Sequence, residues 1–208
     1  MSWLLEYIAN MKGPQNFRNK RAVEIVKVLA TELGDIDSET VIVDCGAGLG
    51  ETLIQMVKQW NCKAVGINLY TERSLEVKKS PEAKNITWIY QDVTEGIAAS
   101  RPNFFGVVTG IYFLQVLKNE QQLLALKEMN KVSSGKIVII DEISRGGWHS
   151  IYDAFVHYGL NLFEKGSRRY NIHTEKRWKI LFCKAGLIVV KQKKFQRNSV
   201  MFILEKNE

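Results

Sequence analysis

The run Val41-Ile42-Val43-Asp44-Cys45-Gly46-Ala47-Gly48-Leu49-Gly50-Glu51-Thr52 concentrates the residues best suited to hold a ligand. A carboxylate closes a β-branched apolar stretch, and glycines then alternate at 46, 48 and 50. Such glycines let the chain turn tightly and bring its backbone against a ligand with no Cβ in the way. The spacing argues against two common ligand loops. A dinucleotide fingerprint needs its third glycine at 51, which is Glu51. A phosphate-cradling loop needs Gly-Lys-Ser/Thr, which is absent.

Other reactive types are scattered. Cys45, Cys62 and Cys183 are odd in number, widely spaced and without a CxxC pair, which argues against disulfides and zinc. They read as reduced thiols, and a cytoplasmic location is expected. No His/Asp/Glu cluster has ligand spacing, so no metal is expected.

The elements around the glycine loop alternate. Ala22–Leu29 has helical apolar spacing, Thr40–Asp44 is a buried strand, and Thr52–Val57 returns to helix. Strand patterns at Cys62–Asn68, Asn85–Tyr90, Phe104–Thr109 and Lys136–Asp141 are interleaved with helices over Glu72–Lys79 and Glu120–Lys131. Ser133-Ser134-Gly135 reads as a turn ahead of the last of these strands. Near-continuous apolar strands alternating with helices make a parallel sheet covered on both faces. After a helix over Thr174–Ala185, Leu187–Lys193 and Ser199–Glu205 are too close together for a crossover, so that pair must be antiparallel. The expected fold is α/β, a doubly wound, mostly parallel sheet ended by an antiparallel hairpin, with helices on both faces.

The 208 residues carry no repeat or linker and fit a single domain, 1–208. Their 46% hydrophobic and 25% charged content excludes a disordered or fibrous chain. No apolar run approaches the roughly 18 residues that span a bilayer, and Met1–Ile8 lacks the basic leader of a secretory signal. Residues 164–208 hold 12 Lys/Arg against 4 Asp/Glu, while residues 1–163 hold 17 against 18. The entire net charge of +7 therefore lies in the last 45 residues. It reads either as an attractor for nucleic acid, membrane or an acidic substrate, or as an edge strand defended by lysines.

The Asp-x-Gly-x-Gly-x-Gly loop in its βαβ setting resembles the first motif of the class I S-adenosylmethionine (SAM) dependent methyltransferases, and the resemblance spans roughly residues 13–206. It implies a seven-stranded sheet and SAM as cofactor, with S-adenosylhomocysteine (SAH) as product. Val65–Tyr70 resembles the second-strand segment whose last residue bonds the SAM ribose, and Tyr90–Val93 the segment whose Asp reaches adenine. The implied cofactor-binding residues are Asp44, Gly46, Ala47, Gly48, Asn68, Leu69, Asp92, Val93 and Thr109. Gly13-Pro14 and the helix over Asn19–Ala30 are similar to the small-molecule branch. Residues 1–33, with Trp3 and Tyr7, would then form a lid and helix. Three departures stand out: Asn68 replaces the usual acid, Gly106 the usual Asp, and Gln115 a frequent His.

Methyl transfer needs positioning above all, and a general base only where the acceptor must lose a proton. Near the strand ends lie Tyr112, Glu142 and His149. His149 and Tyr112 are the catalytic candidates, His149 as a base and Tyr112 as a packing or substrate-orienting group rather than a base. Nothing places His157 or His173 at the cleft, and Asp153 reads as a solvated helix residue. Residues 143–173 carry Trp148, Tyr152, Phe155, Tyr158, Phe163 and Tyr170, rings that would cover a flat or apolar small molecule or else pack a helix on the sheet. The expected partner is a small-molecule substrate, with methyl transfer to its O, N or C atom. An RNA or protein methyltransferase, and a SAM-binding protein that does not methylate, are the alternatives; a dimer is compatible with all three.

Overall fold

The computed structural model describes residues 15–69, 80–97, 102–144, 171–196 and 198–207, without the side chains of 15–17 and 196. The lid residues 1–14, the helix expected over Glu72–Lys79, and residues 145–170 with His149, His157, Asp153 and the aromatic run lie outside the described residues. Seven strands form one sheet in the order β3-β2-β1-β4-β5-β7-β6. They are β1 (Val41–Cys45), β2 (Lys63–Asn68), β3 (Ile86–Tyr90), β4 (Phe105–Ile111), β5 (Ser133–Glu142), β6 (Leu187–Gln196) and β7 (Ser199–Lys206). β1 to β5 run parallel, and β7 pairs antiparallel with both β5 and β6.

Helices α1 (Gln15–Leu33) and α2 (Glu51–Trp60) pack on one face, and α3 (Asn119–Val132) and α4 (Glu175–Lys184) on the other. The strand residues alternate between the two. Val43, Val108, Ile137 and Ile139 meet α3 and α4, while Ile42, Val107, Val138 and Ile140 meet α1 and α2. This double burial makes the strands apolar throughout. On the α4 face Trp178 stacks on Phe182, which meets Phe202 edge-on at 5.1 Å. All three rings are fully buried, and each contributes about 1.5–3 kcal/mol by leaving water.

One expectation is corrected. Ser133–Gly135 are not a turn: α3 ends at Val132 and β5 starts at Ser133. Phe105 pairs with Ser133 and Val107 with Lys136, so the register slips between them. Glycine permits the slip, since a Cβ at Gly135 would stand 2.4 Å from the Gly106 carbonyl oxygen. Gly106 itself faces the Thr40 methyl, which a side chain there would strike at 2.6 Å. Any side chain at 106 would therefore require Thr40 to move.

The topology brings the carboxyl ends of β1, β2, β3, β4 and β5 to one edge, together with the start of β7. In open α/β sheets that edge is where ligands bind. None of the described helices is long and apolar enough to cross a membrane.

Candidate functional site

The glycine loop follows β1 in three left-handed steps, with φ of +75° at Gly46, +57° at Gly48 and +86° at Gly50. Only glycine reaches this region without strain. The amides of Gly46 and Ala47 both donate to the Ile67 carbonyl at 2.9 Å, which ties the loop to β2. Gly46 has a second constraint: a Cβ there would lie 2.2 Å from the Phe113 ring, which packs against the loop from the end of β4. Gly48 differs, because among the described residues a Cβ there would meet nothing nearer than the Gly46 carbonyl oxygen at 3.9 Å. That side of the loop is open to a ligand.

Beneath the loop Asp44 is 3% exposed, and the Thr109 hydroxyl donates to its Oδ1 at 2.7 Å. Burial pushes the Asp44 carboxyl up to about 7, with the Thr109 hydrogen bond pulling the other way. Thr109 is itself buried, so its hydroxyl orients the carboxylate from below. Asn68, at the end of β2, donates from Nδ2 to the Gly48 carbonyl at 2.9 Å. A carboxylate at 68 has no proton to give that carbonyl, so the amide serves the loop in a way the usual acid would not. Leu69, next in the chain, is exposed at 53% and presents an apolar surface beside it.

Asp92 lies at the end of β3, where Oδ1 accepts from the Thr94 amide at 2.9 Å and its hydroxyl at 2.8 Å. This caps the 3-10 turn Val93–Glu95 and buries Val93. The structure thus sets Asp44, Gly46, Ala47, Gly48, Asn68, Leu69, Asp92, Val93 and Thr109 along one sheet edge, with direct bonds joining Asp44 to Thr109 and Asn68 to Gly48.

Tyr112 follows β4 with φ +52° and donates its hydroxyl proton to Ser199 Oγ at 3.1 Å. Burial holds its phenol above the ordinary value, and the nearby Glu142 charge acts in the same direction, opposed by Arg21. Sequence reasoning missed Arg21, whose guanidinium lies over the Tyr112 ring at 4.1 Å. It also missed Arg18, which pairs with Glu51 in the first turn of α2 at 2.8 Å. Basic residues three apart on a helix read as a solvated face, and only the long-range packing of α1 reveals otherwise.

On the other face His173 Nε2 donates to Gln122 Oε1 at 2.7 Å, and the ring packs edge-on against Trp178 at 4.9 Å. Burial lowers its imidazole. Gln122 donates to the carbonyls of Leu114 and Asn171, and the Asn171 amide donates to the Gln115 carbonyl. Gln115 thus belongs to a polar clasp that anchors the chain at 171–173. Asp141, at the end of β5, is fully buried; burial raises its carboxyl well above the carboxylate range, and the backbone amides of Gln115 and Leu114 pull it the other way. Among the described residues no group of three His, Cys, Asp or Glu could hold a metal.

No family model and no curated protein matches the sequence. Solved structures do match it as folds. The mitomycin 7-O-methyltransferase MmcR is similar with a TM-score of 0.69 at 14% identity, over 90% of this chain and 53% of that one. A putative methyltransferase solved in complex with the Haloferax volcanii Trm112 methyltransferase activator gives 0.71 at 11% identity, over 92% and 94%. Magnesium protoporphyrin IX methyltransferase (ChlM) from Synechocystis PCC 6803, solved with bound SAH, gives 0.64 at 13% identity, over 90% and 82%. The chain spans about half the length of MmcR. The class defined by these likenesses is a fold: the Rossmann-like, seven-stranded fold of class I methyltransferases.

Proposed function

We propose that the protein is a SAM-dependent methyltransferase acting on a small molecule, with residues 1–208 as one domain. The observation that carries this reading is the open Gly48 side of a glycine loop that rests on the buried Asp44 carboxyl. Asp44, Gly46, Ala47 and Gly48 would hold the amino-acid end of SAM, Asn68 and Leu69 the ribose, and Asp92 and Val93 the adenine. Thr109 keeps Asp44 in place. When bound, SAM supplies an activated methyl group on a sulfonium.

What remains for the chain is orientation and exclusion of water. Tyr112 suits the first task. Its raised phenol keeps the proton at neutral pH, so it orients a substrate and does not act as base. Where the acceptor is a hydroxyl, we assign the base to His149. A small-molecule substrate is favoured over RNA, because two lysines of the basic region, Lys191 and Lys193, sit on β6 at the sheet edge and pair with Glu32.

The test is a thermal shift with saturating SAH and NAD as control. At a hundred times its dissociation constant, SAH should stabilise the fold by about 2.7 kcal/mol, several degrees at most, with no shift from NAD. No SAH shift would overturn the cofactor assignment. A clear shift without SAH production from SAM in any substrate screen would favour a SAM-binding protein that does not methylate. The Asn68 side chain, engaged by the loop, is the feature that supports this second reading.

A further inference from the structure

Arg21 lies on α1 above the edge where β4, β5 and β7 meet. Its guanidinium stacks on Tyr112 at 4.1 Å, and its Nε is buried with no hydrogen-bond partner. Among the described residues no carboxylate pairs with it, whereas Arg18, one turn earlier, pairs with Glu51. Arg21 is half-buried and its guanidinium also bonds the Tyr112 hydroxyl, so it loses part of its hydration, and an aromatic face offsets only part of that loss. The stage for a counter-ion is nevertheless well made. Tyr112 takes a left-handed conformation with its amide bonded to the Ile140 carbonyl at 2.7 Å and its hydroxyl to Ser199. The next residue, Phe113, packs on Gly46, so this cluster stands one residue from the glycine loop.

We infer that Arg21, Tyr112 and Ser199 form a subsite for an oxyanion, a carboxylate or phosphate monoester carried by the substrate. The word substrate rests on the methyltransferase reading; the anion site itself does not. A guanidinium offers parallel N–H donors matched to two oxygens of such a group. Ser199, accepting from Tyr112, keeps its own proton to donate. Glu142 faces Ser199 across the β5–β7 pair and acts electrostatically on Tyr112. Its charge opposes an anion here, so Arg21 must set the preference.

Calorimetric titration of SAH-saturated protein with 4-hydroxybenzoate, phenyl phosphate and the neutral 4-hydroxybenzamide tests this. At least one anion should bind about tenfold more tightly than the amide, as expected for a charge-assisted hydrogen bond. The better anion identifies the natural group as carboxylate or phosphate. Arg21→Gln should erase the preference and Arg21→Lys retain part of it, with SAH affinity held within about twofold as the check on folding. If Arg21→Gln does not fold, the wild-type comparison of anion with amide decides alone. Equal binding of amide and anions, no anion binding at millimolar concentration, or a preference that survives Arg21→Gln overturns the subsite. Repeating the titrations without SAH separates the two proposals, since absent SAH binding sinks the methyltransferase reading and leaves the anion comparison intact.

Discussion

Asp44 is a buried carboxylate whose ionisation costs the fold stability. Its carboxyl, ordinarily near 3.8, is pushed to about 7 by burial. Between those values the native state holds a proton that the unfolded chain has lost. Asp44 therefore makes stability fall as pH rises through that window, with no further loss above it. Asp44→Asn keeps an oxygen for Thr109 and has nothing to ionise. Denaturant melts at pH 5 and pH 8 should show the variant gaining on the wild type as pH rises. Its SAH affinity should drop about tenfold, because an amide cannot meet the ligand's ammonium with a charge. A stability gap that does not change with pH would show that Asp44 ionises freely in the fold. Asn68 is the opposite case. The hydrogen bond from its side-chain amide to the Gly48 carbonyl joins residues 20 apart, and no local pattern in the sequence marks it.

The strands and the glycine loop were legible because local sequence suffices for them. β-branched runs that stop at glycines sit where β1 and the left-handed loop lie. What the pattern could not show was which glycine is hemmed in by packing and which has open space beside it. The two cases separate by substitution. Gly46→Ala must displace Phe113 and hold alanine at positive φ, so it should cost several kcal/mol and lower the melting temperature sharply. Gly48→Ala meets open space and carries only the left-handed penalty of about 1–2 kcal/mol. It should fold, yet lose SAH affinity as its methyl enters the ligand's side of the loop. Equal SAH binding by wild type and Gly48→Ala would remove Gly48 from the site. The Ser133–Gly135 turn was misread for a related reason. Small polar residues signal a turn locally, but here the missing Cβ of Gly135 lets β4 approach, a long-range demand.

At the scale of the whole molecule the charge asymmetry becomes architecture. β6 ends the sheet, and its exposed row Lys191, Gln192, Lys193 and Lys194 faces water, as an edge that must not pair with another chain requires. Two of those lysines also reach across to α1. Lys191 and Lys193 each stand 2.6 Å from the Glu32 carboxylate, which is only 5% exposed. They hold its carboxyl below the ordinary value of 4.5. The native state therefore releases this proton more readily than the unfolded chain does. The stabilisation is complete at neutral pH and is lost as pH falls below 4.5 through the lower native value. Both lysines are about half exposed, so solvent screening limits the effect. Glu32→Gln should lower unfolding free energy by about 1 kcal/mol at pH 7. The deficit should shrink in molar salt, and shrink again between pH 7 and pH 3 as the wild-type carboxylate begins to take up its proton. Denaturant titrations of both proteins at pH 7 and pH 3 measure this. A deficit that persists unchanged at pH 3 would mean that Glu32 acts through packing under β6 and that the lysines defend the edge without tying it to α1.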